Sequence, residues 1–165
     1  MVPTIGDVSI SRALAGALAT IALCGCGSSD ESSETPVACL APADSYIVAL
    51  ERAPGDVRLD GTTPIADCLT EEQEPGALAS VGETAVAAAT DLNRRVRGDF
   101  DADAALRLGY LVGAIEQGAE GTGGIHRDLV LRLNTAARFS GPGAQLGAAF
   151  ERAFGEGYAA AQSAG

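Results

Sequence analysis

The chain has no lysine, no tryptophan, no methionine after Met1 and a single histidine, His126. Each gap removes a class of chemistry. A P-loop needs a lysine to reach the β- and γ-phosphates. A thioether copper site needs methionine. Di-iron bundles are built on Glu-x-x-His motifs, and none occurs here. There is no Cys-x-x-Cys-His for haem attachment and no Cys-x-x-Cys pair for zinc. No cofactor and no metal is therefore expected. Basic residues are also few. Eleven arginines face 22 acids, a net charge of −11. Nucleic acid, whose phosphates demand cationic neutralisation, is excluded as a partner. Long apolar runs are missing too. Residues 13–23 (ALAGALATIAL) would span about 17 Å as a helix, well short of the roughly 30 Å hydrocarbon core of a bilayer.

That short run is what the sequence does offer at its start. It suits the apolar region of a signal peptide, with Arg12 just before it, although Asp7 cancels that charge. It leads into Leu23-Cys24-Gly25-Cys26 and then a small polar linker. This arrangement resembles the lipobox of bacterial lipoproteins. The resemblance implies export, cleavage before Cys26 and lipid on the Cys26 sulfur. Cys24 departs from the family pattern, which carries Ala, Ser or Thr there. Lipid on Cys24 instead would put bulky Leu23 where the family has a small residue. An ordinary signal peptide, or a buried N-terminal helix, is the alternative. Each buried CH₂ of an acyl chain adds roughly 0.8 kcal/mol, so two or three chains anchor durably. The expected segments are a signal peptide over 1–25, a flexible acidic tether over 26–38 and one helical domain over 39–165.

With Cys24 removed and Cys26 lipidated, Cys39 and Cys68 remain as a pair in an oxidising compartment, so a disulfide is expected between them. Cleavage leaves the net charge unchanged, because Arg12 and Asp7 leave together. Such a surface is repelled by anionic lipid heads, so the anchor rather than charge must hold it. The charge is uneven: residues 30–74 carry 11 acids and two Arg, and 75–165 carry 10 acids and eight Arg.

The expected fold is mainly α: about four helices in an up-down bundle, after a short disulfide-stapled irregular or hairpin segment over 39–74. Within that segment, Tyr46-Ile47-Val48-Ala49-Leu50 and Asp56-Val57-Arg58-Leu59 flank Ala53-Pro54-Gly55 and read as a hairpin. The first of these runs also fits the start of a short helix. An Asp60-Gly61 turn follows. From Pro75 the period becomes helical: Leu78, Val81, Ala85, Ala88 or Ala89, Leu92 and Val96 form one apolar stripe. Gly98 closes that helix, behind Arg94, Arg95 and Arg97, which read as a solvated helix end paired with Asp99 to Asp103. Asp99, Asp101 and Asp103 open a second helix with Ala104, Leu108, Leu111, Val112 and Ile115 inward. Gly109 and Gly113 on one face permit a close crossing. A third helix is expected over 125–139, with Ile125, Leu129, Leu133 and Ala136 inward. After Ser140-Gly141-Pro142, a fourth carries Leu146, Phe150, Phe154, Tyr158 and Ala161.

The catalytic alternatives are thin. His126 at a helix start reads as a general base, oriented by Glu116, Glu120 or Asp128, but no nucleophile stands at a recognisable spacing. The simpler reading is a histidine that packs the turn. The glycine-rich 118–124 segment reads as a helix connection. The stretches Leu108-Gly109-Tyr110-Leu111-Val112-Gly113-Ala114 and Gly124-Ile125-His126, with Asp60-Gly61-Thr62 and Asp67-Cys68-Leu69, are similar to uncharacterised secreted or lipid-anchored actinobacterial proteins. That resemblance implies lineage and no activity. The expectation is a lipid-anchored, non-enzymatic domain that binds an envelope protein or a small ligand. A small hydrolase using His126, and a carrier with a cavity between its helices, are the alternatives.

Overall fold

Pro75 opens the longest helix because the first turn needs no amide donor from it. A computed structural model describes residues 34–138 and 144–164. The signal segment, Cys24, Cys26 and Ser140-Gly141-Pro142 lie outside the described residues. Five α-helices follow one another: α1 (Ala43–Leu50), α2 (Pro75–Asp99), α3 (Ala102–Ala119), α4 (Arg127–Ala137) and α5 (Ala144–Ser163). A 3₁₀ turn over Val37–Leu40 precedes α1. Two short strands, β1 (Arg58–Leu59) and β2 (Thr63–Pro64), and a second 3₁₀ turn (Ala66–Cys68) fill the interval before α2. The chain is thus mainly α, with a disulfide-stapled segment ahead of the long helices.

The stripe on α2 is buried as its period requires, from Val81 through Ala85, Ala88, Ala89 and Leu92 to Val96. Asp101 caps α3, its carboxylate accepting from the Ala104 amide at 3.0 Å. Every residue from Leu108 to Ile115 on α3 is buried. A helix apolar all round must be covered all round, and α3 is accordingly the centre of the domain, touching α2, α4 and α5.

Helix α5 lies along α3. A methyl built at Gly109 would collide with the Phe154 carbonyl, one at Gly113 with the Tyr158 carbonyl, and one at Gly157 with the Leu106 carbonyl. Residues 109 and 154, then 113 and 158, keep one offset, so α3 and α5 run parallel. Three missing side chains let two backbones touch.

Two local expectations need correction. Tyr46 to Leu50 is helix, not the first arm of a hairpin. Tyr46, Ile47, Ala49 and Leu50 are buried while Val48 is 63% exposed, a helical pattern that strand alternation does not produce. The hairpin forms one turn later. Leu59 pairs with Thr63 and Arg58 with Pro64, around Asp60 (φ 49°) and Gly61 (φ 80°). Asp60 Oδ1 accepts from the Thr62 hydroxyl at 2.8 Å, which holds the turn and keeps the Asp60 carboxyl below its usual range. Second, Ile125 faces outward, 45% exposed, and His126 takes the inward place at 0%. Gly121, Gly123 and Gly124 all adopt positive φ, and this turns the chain by one position before α4 begins.

Candidate functional site

His126 precedes α4 and its ring is enclosed. Its Nε2 lies 2.7 Å from Gln73 Oε1, and its Nδ1 lies 2.9 Å from Thr122 Oγ1. Gln73 is fixed from its other end. Its Nε2 donates to Thr35 Oγ1 at 2.7 Å and to the Cys68 carbonyl at 2.8 Å. That leaves only an acceptor toward the ring, so His126 Nε2 carries the proton. In the neutral ring, Nδ1 accepts from the Thr122 hydroxyl. The same hydroxyl lies 2.7 Å from the Ala119 carbonyl, so one proton serves two acceptors. Protonating the ring would free it for Ala119. Burial opposes this, and holds the His126 pKa below its usual value.

This is a closed relay of neutral groups. Thr35, Gln73 and Thr122 are buried with the histidine. Neither Glu120 nor Asp128 is hydrogen-bonded to the ring. Asp128 is exposed and pairs with Arg132 at 3.9 Å. Glu120 is exposed and lines a shallow groove with Glu116, Gly124 and Arg127. Glu116 is engaged elsewhere: it accepts from Asn134 Nδ2 at 2.7 Å and from the Tyr158 hydroxyl at 2.6 Å. It thereby joins α3, α4 and α5, and the hydrogen bond pushes the Tyr158 pKa up to about 12. Arg94 and Arg95 both pair with Asp91 on their own helix.

Cys39 and Cys68 form the expected disulfide, fully buried, across a sequence separation of 29. The Tyr46 hydroxyl covers it, donating to the Cys39 carbonyl at 2.8 Å and lying 3.7 Å from Cys68 Sγ. Burial pushes the Tyr46 pKa well up. The relay and the cystine share a residue, because Gln73 bonds the Cys68 carbonyl. A cystine of this kind forms and persists in oxidising, extracytoplasmic compartments. Among the described residues, no helix is long and apolar enough to cross a membrane, and no three His, Cys, Asp or Glu side chains converge on a metal-sized site.

The open surfaces lie elsewhere. A groove of about 490 Å³ runs between the 37–40 turn, α1 and the hairpin. Its apolar lining includes Ala41, Val48, Ala49 and Leu59, and its charged lining is Asp44, Arg52, Arg58 and Asp60. Arg58 is held by Asp56 and by the Thr62 carbonyl, each at 2.9 Å. A second groove, of about 390 Å³, lies between α2 and α4 around Val86 and Leu131. Both open at the surface, while the α3–α5 interface is shut by backbone contact.

Comparison with known protein families, curated proteins and solved structures finds no match. The site therefore rests on its own chemistry. Gln73, Thr122 and Thr35 carry no local signal that sequence reading would catch, since Gln73 meets His126 across 53 residues.

Proposed function

We propose that this chain is an exported protein of the bacterial cell envelope, held to the membrane by lipid on Cys26, with a non-enzymatic helical domain that binds an envelope protein or a small ligand. The observation that carries the non-enzymatic part is the sealed His126. Both ring nitrogens face neutral side chains, and no part of the ring reaches solvent. A general base must reach the proton that it takes. The anchoring part is supported by sequence: an apolar run, Gly25, Cys26 and a polar linker stand in the lipobox order. The buried cystine supports an oxidising compartment.

Mass spectrometry of the membrane fraction is the test. The N-terminal peptide should begin at Cys26 and carry added acyl mass, and Cys26→Ala should release the protein from the membrane. An unmodified chain recovered in the soluble fraction would overturn the anchor. For the domain, crosslinking in the native envelope should trap a partner through the surface grooves. His126→Asn should leave that crosslink in place once folding is confirmed.

A further inference from the structure

Both arginines of the acidic 30–74 stretch, Arg52 and Arg58, line one groove, the one between the 37–40 turn, α1 and the hairpin. Two of the four charged side chains there are already engaged. Arg58 is held by Asp56 and the Thr62 carbonyl, and Asp60 by the Thr62 hydroxyl. The other two, Asp44 and Arg52, form no ion pair among the described residues. Both are exposed, and so is Val48 between them.

The spacing of these two free charges measures a ligand. Asp44, Val48 and Arg52 recur every four residues along α1 and the turn that continues it, so they follow one face. Eight residues of helical rise set the two charges about 12 Å apart. A single amino acid, whose charges share one carbon, does not reach both. An extended chain rising about 3.3 Å per residue covers the distance in three or four residues. Between the ends, Val48, Ala49 and Leu59 offer apolar surface. The groove's volume, about 490 Å³, is that of a small-molecule site. Tyr46 ties α1 to the turn through the Cys39 carbonyl, and the cystine ties the turn to Cys68, so the walls stand before a ligand arrives.

We propose that this groove binds a short peptide with both ends free, three or four residues long, its ammonium at Asp44, its carboxylate at Arg52 and an apolar side chain against Val48 and Leu59. This rests on the reading of the domain as a binding domain and names its ligand. The surrounding charge selects the same class. Glu51 adjoins Arg52 and Asp56 pairs with Arg58, so the surface is acidic overall and repels a simple organic anion. A ligand that brings its own cation to Asp44 escapes that penalty. Arg52 then offers its planar fork of donors to the carboxylate.

Titrating Ala-Leu-Ala into a full chain carrying Cys24→Ser and Cys26→Ser tests this without any anchor. Amide resonances of Val48, Ala49 and Leu59 should shift and saturate, while that of Leu131 on α4 stays still. Acetylating the peptide's amine, or amidating its carboxylate, should each weaken binding about fivefold, the upper range for an exposed ion pair. Arg52→Gln should weaken the free peptide by the same factor and leave the amidated one unaffected. Asp44→Asn should do the same for the free and acetylated peptides. Both positions are exposed, so the variants should fold, which circular dichroism checks. Octanoate, an anion with an apolar chain and no amine, should not displace the peptide. Absence of saturable shifts at millimolar peptide overturns the proposal. So does undiminished binding of the amidated peptide, or of the acetylated one, which would assign the groove to a carboxyl-terminal tail. Failure here beside a crosslinked partner in the envelope would remove this ligand and keep the binding reading.

Discussion

Between Glu34 and Glu74 the chain is built from short pieces, none of them stable alone. An eight-residue helix, a hairpin of two-residue strands and two 3₁₀ turns are fastened by the Cys39–Cys68 bridge, the Tyr46 hydroxyl and the Gln73 amide. From Pro75 onward the helices are mostly long and hold mainly by surface contact, most tightly where Gly109, Gly113 and Gly157 bring α3 against α5, with Glu116 as a polar tie to Asn134 of α4 and Tyr158 of α5. Helices under about 12 residues are marginal in water, so α1 needs its fastenings. An alanine-rich interface has little apolar area per side chain, so the long helices must approach closely instead. One domain thus relies on a covalent bridge where its elements are short, and on broad contact, closest at bare backbone, where they are long.

The largest expected effect tests the first half of that contrast. Replacing Cys39 and Cys68 together by Ser should cost about 3.5 kcal/mol by loop entropy, read as a lower urea midpoint. Hydrogen exchange should rise first in Ala43–Leu50 and only later in α3. If α3 loosens at the same rate, the two regions are not separately held. Gly157→Ala probes the other half. Its methyl meets the Leu106 carbonyl, which cannot rotate away, so a loss of about 2–3 kcal/mol is expected despite the better helix propensity of Ala. Exchange should rise along α3 and α5 while α1 keeps its protection. The smallest effect lies at the junction. Burial lowers the His126 pKa, so the unfolded chain binds the proton first. His126 therefore contributes stability above the unfolded histidine value near 6.5, and this is lost as pH falls from there toward the depressed folded value. Between pH 7 and 5 the slope should be at most about 1.4 kcal/mol per pH unit. His126→Asn should flatten it. Identical slopes in both proteins would mean that the relay does not hold a neutral ring.

The long helices were legible because their apolar residues repeat over many turns. Val81 to Val96 and Ala104 to Ile115 fall inward as the period requires. Tyr46 to Leu50 was ambiguous because five apolar residues fit either period, and burial around the cystine decides it. Ile125 was misplaced because three positive-φ glycines shift the register before α4, a property of backbone angles that hydrophobic spacing does not encode. Gly109 and Gly113 pointed to a close crossing, but their partner Gly157 emerges only when α5 is laid against α3. The polar relay was hidden for a simpler reason: its members come from three distant parts of the chain, around Thr35, Gln73 and Thr122–His126. The cystine was legible once the lipobox reading set Cys24 and Cys26 aside and left Cys39 and Cys68 as a pair.

That cystine also sets how the domain would bear tension. A pull on the chain ahead of Thr35 travels along the backbone to Cys39 and crosses the sulfur bridge to Cys68. Residues 40–67 hang off this route as a slack loop. Helix α1 and the hairpin, the least self-sufficient parts of the domain, are therefore spared the load. It passes instead to the backbone entering α2, beside the point where Ala66 presses on Gly118 of α3. A domain tugged from its N-terminal side would keep its weakest elements folded longest.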